Sequence, residues 1–289
     1  MTKPFLSAGR YGKNHWWRYG FVILSIILYW LFFSRFINPI CYWIIDFLIP
    51  SDYLSFFISN SIPFILVLAI LIYAVTKLHK RGFYSLINAN GAVNVKRLGL
   101  GFIVWGLILV LLTIVDILIR PYDYAYNFAD LGKWLLFLPF ALILVPIQTS
   151  TEEFLFRGYL LQGLSLLSRN RLFLIVATGL LFAIPHFSNP EMDRGFIWSA
   201  LTYFAFGIFF AAMTLKDNGL ELALGVHAAN NLFSFLLVNT PDSVLPSPSL
   251  TTYIAPIDPK AGFFGLLIEF AIFYFVFFGG ISRVETILD

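Results

Sequence analysis

Long apolar segments dominate the pattern of hydrophobic and polar positions along this chain. A membrane-spanning helix needs about 20 mostly apolar residues, and eight segments approach that length. We predict spans from about Tyr19 to Ile37, Leu54 to Val75, Leu98 to Ile119, Lys133 to Leu167, Leu172 to Phe187, Phe196 to Leu215, Gly219 to Val238 and Gly262 to Ile281. The pattern therefore predicts an all-α polytopic membrane helix bundle, with residues 1–289 forming a single membrane domain.

Prolines and polar residues mark the irregular parts of this pattern. The fourth segment is too long for one simple span, and Pro139 and Pro146 predict that its helix is bent or broken. A short apolar stretch from Pro39 to Pro50 is expected at the membrane interface. The segment from Asn239 to Pro259 holds five prolines and is predicted to be an exposed loop.

Composition supports the membrane assignment. The chain is 59% hydrophobic and 12% charged, with a mean hydropathy of +0.82, whereas soluble domains carry roughly 25% charged residues. So few charges cannot cover a water-facing surface of this size. The net charge of +3 and the lack of a basic block give no reason to expect nucleic acid as a partner. The single cysteine, Cys41, leaves the redox compartment open.

The distribution of Lys and Arg predicts the orientation. With the N-terminus inside, thirteen of the 19 Lys and Arg residues fall on the inner side and five on the outer side. Cytoplasmic loops are the ones enriched in these residues. We therefore predict that both termini are cytoplasmic. The first span has too long an apolar run for a signal peptide and is expected to be an uncleaved anchor.

Ionisable residues within spans are functional candidates, because each costs several kcal/mol unless it is paired or hydrated. Glu153 and Arg157 are four residues apart, in the order that favours a helical ion pair. Glu152 points about 100° away from Glu153 on a helix. Glu152 is therefore free to face a cavity while Glu153 pairs with Arg157.

Further candidates lie on two later segments. His227 and Asn231 share one helix face. Glu152 and His186 each lie 17 residues from Arg169, which puts both about 25 Å from that turn if the segments are helical. We predict that Glu152, His186, His227 and Asn231 meet in one pocket within the membrane.

Each candidate also has a purely structural interpretation. Ser150 to Glu153 could form a capping box at the start of a water-exposed helix. His186 could be interfacial, and His227 with Asn231 could serve as polar contacts between helices. Glu269 could line the cavity or bind a neighbouring helix, whereas Asp116 is expected at the interface.

Three motifs occur in order on separate predicted spans. Glu152 to Arg157 has the pattern E-E-x-x-x-R, Phe182 to His186 has F-x-x-x-H, and His227 to Asn231 has H-x-x-x-N. This set resembles the CAAX protease and bacteriocin-processing family, also called CPBP or Abi, which includes the type II CAAX prenyl endopeptidase. The resemblance covers roughly Lys133 to Val238 and implies an intramembrane endopeptidase, expected in the plasma (inner) membrane of a prokaryote.

The resemblance also implies roles for the motif residues. Glu152 and His186 would hold and deprotonate a water that attacks a peptide carbonyl. His227 and Asn231 would stabilise the oxyanion, and Glu153 and Arg157 would support the site. The substrate would be a membrane-associated peptide or protein, prenylated or not.

The sequence leaves open whether the protein uses a metal ion and whether it is an enzyme, a transporter or a non-catalytic protein. Glu152, His186 and His227 could ligate a divalent metal such as zinc, although the H-E-x-x-H helix of zinc proteases is absent; we favour a metal-free glutamate mechanism. A proton-coupled transporter is an alternative, because Glu and His in spans also relay protons. A non-catalytic immunity or scaffold member of the same family is another.

Overall fold

A computed structural model describes residues 3–279 of the chain. This part forms ten α-helices: α1 Trp16–Phe32, α2 Asn38–Leu48, α3 Asp52–Tyr73, α4 Val95–Ile119, α5 Leu131–Glu153, α6 Leu161–Leu164, α7 Arg171–Ala183, α8 Phe196–Asp217, α9 Glu221–Leu236 and α10 Pro259–Phe278. Three short strands complete it: β1 Tyr124–Tyr126, β2 Val238–Asn239 and β3 Thr251–Tyr253. The all-α polytopic bundle is confirmed.

Seven helical segments of the described chain are long and apolar enough to cross a membrane. They are Trp16–Leu48, Asp52–Leu78, Val95–Ile119, Phe128–Leu164, Arg171–Ser188, Phe196–Asp217 and Pro259–Phe278. The remaining predicted span, Gly219 to Val238, is not among these seven, because α9 has only 16 residues. The predicted end of the last span at Ile281 lies outside the described residues, as does Arg283.

The short helix α9 lies inside the bundle. Every residue from Glu221 to Ala229 is buried, because α9 packs against α4 and α5 rather than against lipid. Glycine allows the closest approach: a Cβ on Gly225 would lie 2.1 Å from the Leu98 carbonyl oxygen, and one on Gly101 would lie 2.6 Å from the Leu222 carbonyl oxygen. Small residues that let backbones meet are typical of helix contacts in membranes.

Irregular turns replace the helix breaks expected from the prolines. α5 passes through Pro139 and Pro146, and α-helical hydrogen bonding gives way to a π-helix only at Phe154–Leu160, before α6. The stretch from Pro39 to Pro50 is likewise not a separate segment, since α1 continues through the π-helical turn Phe33–Ile37 into α2. α7 changes to a 3-10 helix at Ile184–Ser188, beside Pro185, as expected for a proline that removes a backbone donor.

One end of the bundle is closed by the N-terminal segment. The Phe5 N–H donates to Asn218 Oδ1 at 2.7 Å, at the turn between α8 and α9. His79 donates from Nδ1 to the Lys13 carbonyl at 2.8 Å, so its Nε2 accepts from the Tyr159 hydroxyl at 2.7 Å. Burial, above all, lowers the pKa of His79 to about 4. The neutral imidazole thus ties the N-terminal segment to the π-helix that follows α5.

A small sheet covers the opposite end. β1 pairs antiparallel with β3, and β3 pairs parallel with β2. The segment from Asn239 to Pro259, predicted to be an exposed loop, is mostly a loop, but it contains β3 and is buried in part. Asn239 and Ser249 are buried, and Asn239 donates from Nδ2 to Ser247 Oγ at 2.6 Å. The segment is hydrogen-bonded to the end of α9, where Ser247 Oγ donates to the Phe235 carbonyl and the Leu250 N–H donates to the Leu236 carbonyl.

Candidate active site

A buried ion pair forms the foundation of the site. Arg157 donates from Nη1 to Glu153 Oε1 at 2.8 Å, and both side chains are fully buried. α5 is continuous up to Glu153, so Ser150 does not cap a helix there. The predicted pairing of Glu153 with Arg157 is present, with Arg157 in the π-helical turn Phe154–Leu160.

Aromatic rings surround the Arg157 guanidinium. Its carbon lies 4.3 Å from the centre of the Phe182 ring and 5.1 Å from that of Phe210. Arg157 also donates from Nη2 to the Gly207 carbonyl at 3.3 Å. Such cation–π contacts stabilise a desolvated cation by about 2 kcal/mol or more, which helps to offset the cost of burying this charge.

His227 connects the ion pair to the second glutamate. Its Nδ1 lies 2.8 Å from Glu153 Oε1. Because the paired Glu153 carboxylate can only accept, His227 donates from Nδ1. Its Nε2 then faces Glu152, with 3.7 Å between Nε2 and Glu152 Oε2. The Phe210 ring stacks on the imidazole, with the centres 5.0 Å apart, and fixes its plane.

The two adjacent glutamates have different environments. The Glu153 side chain has no exposure, whereas that of Glu152 is 13% exposed. The difference follows from their angular separation on α5, which directs only Glu153 into the ion pair. Glu152 therefore keeps a carboxylate that a small molecule such as water can reach.

His186 is oriented by its own helix and by α8. It donates from Nδ1 to the Phe182 carbonyl at 2.8 Å, one turn earlier, so the free ring nitrogen is Nε2. The Tyr203 ring stacks on the imidazole at 4.2 Å between centres and 22° between planes. Within the described residues, no hydrogen bond or ion pair joins His186 to Glu152. The imidazole in contact with Glu152 is that of His227.

Asn231 follows His227 by one turn of α9. The neighbouring Asn230 donates from Nδ2 to Asn231 Oδ1 at 3.2 Å. Trp105 of α4 donates in turn from Nε1 to Asn230 Oδ1 at 3.3 Å. The structure thus brings Glu152, Glu153, Arg157 and His227 into contact. His186 is held by its hydrogen bond to the Phe182 carbonyl. Asn231 is the last member of the hydrogen-bonded series Trp105, Asn230 and Asn231.

Two comparisons with known proteins decide the family. Residues 132–233 match the type II CAAX prenyl endopeptidase Rce1-like family. The chain is also 34% identical over 252 residues to "Uncharacterized protein YyaK" of Bacillus subtilis (strain 168), covering 83% of this chain and 84% of the relative. The chain belongs to the Rce1-like family. No solved structure matches it.

The Rce1-like match contains the six motif residues Glu152, Glu153, Arg157, His186, His227 and Asn231. Its bounds, 132–233, nearly coincide with the motif-bearing core predicted from about Lys133 to Val238. The resemblance to CAAX proteases is therefore confirmed. It places the chain in a family of membrane peptidases.

Sequence reasoning missed three aromatic residues of this Rce1-like site. Phe210 stacks on His227 and lies over Arg157, Tyr203 stacks on His186, and Trp105 binds Asn230. No signal in the sequence distinguishes them from the other aromatic residues, which make up 19% of the chain. Only the packing of α4 and α8 around α9 identifies them.

A zinc ion held by Glu152, His186 and His227 would need three donors around one point. Among the described residues, no group of three His, Cys, Asp or Glu side chains has such an arrangement. Nε2 of His227 lies 3.7 Å from Glu152, but in the described part of the chain His186 makes no hydrogen bond or ion pair with Glu152. The donor set does not fit a metal centre, and we derive no step through one.

Proposed function

We propose that the chain is an intramembrane endopeptidase of the CAAX type, in which Glu152 activates a water for attack on a peptide carbonyl. The contact between Glu152 and His227 carries the proposal. Two acceptors 3.7 Å apart, Oε2 of Glu152 and Nε2 of His227, can share one water molecule. Glu153 fixes the imidazole from the other side at 2.8 Å.

Proton transfers in the proposed reaction balance without a cofactor. Glu152 takes one proton from the water while the oxygen bonds to the carbonyl carbon, giving a tetrahedral oxyanion. The C–N bond then breaks, and the protonated Glu152 returns the proton to the leaving amine. Acid–base transfer by a positioned carboxylate contributes about 10²–10⁴-fold to a rate.

The oxyanion needs a donor on the other side of the carbonyl. Asn231 supplies it in the proposal, because its Oδ1 accepts from Asn230 and its amide N–H groups remain for the substrate. The family resemblance implies that His227 stabilises the oxyanion and that His186 holds the water. The contact with Glu152 favours His227 as the partner that holds the water, and we propose that His186 Nε2 is a further acceptor beside it.

Glu153 and Arg157 are proposed to support the site rather than to react. Their charges compensate each other in a fully buried pair, and the same Glu153 oxygen orients His227. An isolated carboxylate at this depth would be neutralised or would destabilise the fold. The pair therefore provides a fixed negative acceptor for the imidazole.

The proposed substrate is a peptide or protein segment that reaches the site through the bilayer. Helices long and apolar enough to cross a membrane surround the site, and the family is named for a CAAX prenyl endopeptidase. A farnesylated CAAX peptide is therefore the appropriate probe, with the unprenylated peptide of the same sequence as the second arm.

The test uses purified full-length protein in lipid nanodiscs with an internally quenched farnesylated CAAX peptide. We expect cleavage by the wild type and by Glu269→Gln. Glu269 is a matched control, because it is a half-buried glutamate of α10, and no hydrogen bond or ion pair involves it in the described part of the chain. Wild-type protein that leaves both peptides intact would contradict the proposal.

Native substrates are identified in cells. Membranes from cells that carry the wild type or Glu152→Ala are compared by proteomics, with labelling of new amino termini. Termini that require Glu152 would support the endopeptidase. Identical membranes would favour the non-catalytic immunity or scaffold role instead.

A further inference from the structure

Trp105 lies on α4, on the far side of Asn230 from the candidate active-site residue Asn231. It is fully buried between α8, α9 and α10, in edge and tilted contact with Phe209, Phe270 and Phe273. Its only polar atom, Nε1, lies 3.3 Å from Asn230 Oδ1. The indole thus presents one donor, in a fixed position, to the amide pair of α9.

The donor-only character of Trp105 sets the orientation of Asn230. An indole N–H cannot accept a hydrogen bond, so the side-chain oxygen of Asn230 must face it. The two ends of an amide are normally assigned from their hydrogen-bond network, and here chemistry leaves one choice. The Asn230 nitrogen is consequently directed to the opposite side, where it donates to Asn231 Oδ1 at 3.2 Å.

The orientation of Asn230 also fixes that of Asn231. With its oxygen accepting from Asn230, Asn231 keeps both amide N–H groups for other acceptors. The reverse orientation would put two nitrogens against each other at the Asn230 contact and would turn the Asn231 oxygen towards the substrate. A carbonyl dipole in that position would repel a developing oxyanion instead of stabilising it.

We propose that Trp105 is a positioning residue for catalysis, acting through Asn230 to present the N–H groups of Asn231 to the oxyanion. This inference rests on the proposed endopeptidase function. It explains why two consecutive asparagines occur on a buried helix: Asn231 is the donor, and Asn230 transmits the orientation. It also gives α4, which bears none of the three sequence motifs, a part in the site.

A double-mutant cycle with Trp105→Phe and Asn231→Ala tests the proposal. Phenylalanine keeps an aromatic ring and removes the N–H. We expect Trp105→Phe to lower kcat on the farnesylated CAAX peptide about tenfold and to leave KM within about twofold of the wild type. This fall in kcat is smaller than the roughly 10²–10³-fold effect of losing one oxyanion donor, because Asn231 is still present. In the Asn231→Ala background, the same change should alter kcat by less than about twofold.

Controls separate this effect from lost packing. Trp43→Phe, at an exposed tryptophan of α2, should leave kcat unchanged. If turnover by the double variant is too slow to measure, the cycle is run on the Kd of a peptide with a hydrated ketone at the scissile position, which mimics the tetrahedral intermediate. Binding should weaken in each single variant, without a further loss in the double variant.

Two results would overturn the inference while leaving the proposed function intact. One is an unchanged kcat in Trp105→Phe. The other is an equal loss in both backgrounds, which would indicate a general packing defect. Failure of the proposed function itself is distinguishable, because the wild type would then cleave no peptide, and the positioning role would fall with it.

Discussion

His227 Nδ1 and Glu153 Oε1 are 2.8 Å apart, and the same carboxylate oxygen accepts from Arg157 at 2.8 Å. One oxygen therefore links a buried cation to an imidazole of the candidate site. This shared contact means that Glu153 cannot change without effects on both the stability of the bundle and the orientation of His227. Glu152, the preceding residue, makes no such link between Arg157 and an imidazole in the described contacts.

We expect Glu153→Gln to destabilise the protein. The substitution leaves Arg157 as an unpaired charge in a fully buried position, and breaking a buried pair costs about 3–5 kcal/mol. Thermal unfolding in detergent should show a lower Tm for Glu153→Gln and a Tm near that of the wild type for Glu152→Gln. Equal Tm values for the two variants would show that the ion pair contributes nothing to stability.

Arg157→Lys should also be damaging, although it keeps the charge. The lysine ammonium is not planar and cannot bind Glu153 and the Gly207 carbonyl at the same time as the guanidinium does. It also loses the contacts of the guanidinium with the Phe182 and Phe210 rings. We expect a lower Tm and at least a tenfold loss of peptide cleavage. The matched variant Arg120→Lys, at an exposed ion pair with Asp116, should behave like the wild type.

The contact between α4 and α9 can be tested with two glycines of the same helix. An alanine Cβ at Gly101 would lie 2.6 Å from the Leu222 carbonyl oxygen, whereas one at Gly106 would meet nothing within 4 Å. Gly101→Ala should cost about 1–3 kcal/mol through overpacking. Gly106→Ala should leave the Tm unchanged or raise it, because alanine favours a helix. The same response in both variants would argue against the close approach of α9.

Stacking of Tyr203 on His186 predicts a contrast between two substitutions. Tyr203→Phe keeps the ring at 4.2 Å from the imidazole, whereas Tyr203→Leu removes it. Aromatic pairs contribute about 0.5–1.5 kcal/mol. If His186 belongs to the catalytic group, kcat should fall up to about tenfold in Tyr203→Leu and much less in Tyr203→Phe. Wild-type kcat and KM for Tyr203→Leu would show that catalysis does not depend on the orientation of His186 by Tyr203.

Acid should loosen the end of the bundle that holds the N-terminal segment. Burial lowers the pKa of His79 from 6.5 to about 4, and the Arg81 and Arg18 cations add to the effect. Between these two pKa values His79 is protonated in the unfolded chain but not in the folded protein. The contribution of the neutral His79 to stability is therefore fully present above about pH 6.5 and is lost as the pH falls towards 4. The Tm of the wild type should fall more between pH 7 and pH 4.5 than that of His79→Gln. Parallel curves would contradict this role.

The sequence predicted the helix bundle and the buried ion pair, because both follow from spacing. Apolar length located the spanning helices, and the four-residue spacing predicted the pair Glu153–Arg157. Depth estimates placed Glu152 and His186 at the same level, 17 residues on either side of Arg169, whereas the imidazole 3.7 Å from Glu152 in the structure is that of His227. These features depend on rise per residue, which a sequence gives directly.

Features that depend on packing between helices were not predictable in this way. Spacing does not say which of the two imidazoles lies within contact distance of Glu152, and in the structure it is that of His227, at 3.7 Å. Nor does it say that the 16-residue helix α9 is buried among other helices, because hydropathy alone does not separate a helix that faces lipid from one that faces protein.

The most direct test of the proposed mechanism compares wild type, Glu152→Gln and Glu269→Gln in nanodiscs with the farnesylated CAAX peptide in H₂¹⁸O. We predict that wild type and Glu269→Gln release a product whose new carboxyl group carries one ¹⁸O atom. Glu152→Gln should bind the peptide, keep the wild-type Tm and release no product. Cleavage by Glu152→Gln at the wild-type rate would contradict the central claim that Glu152 activates the water.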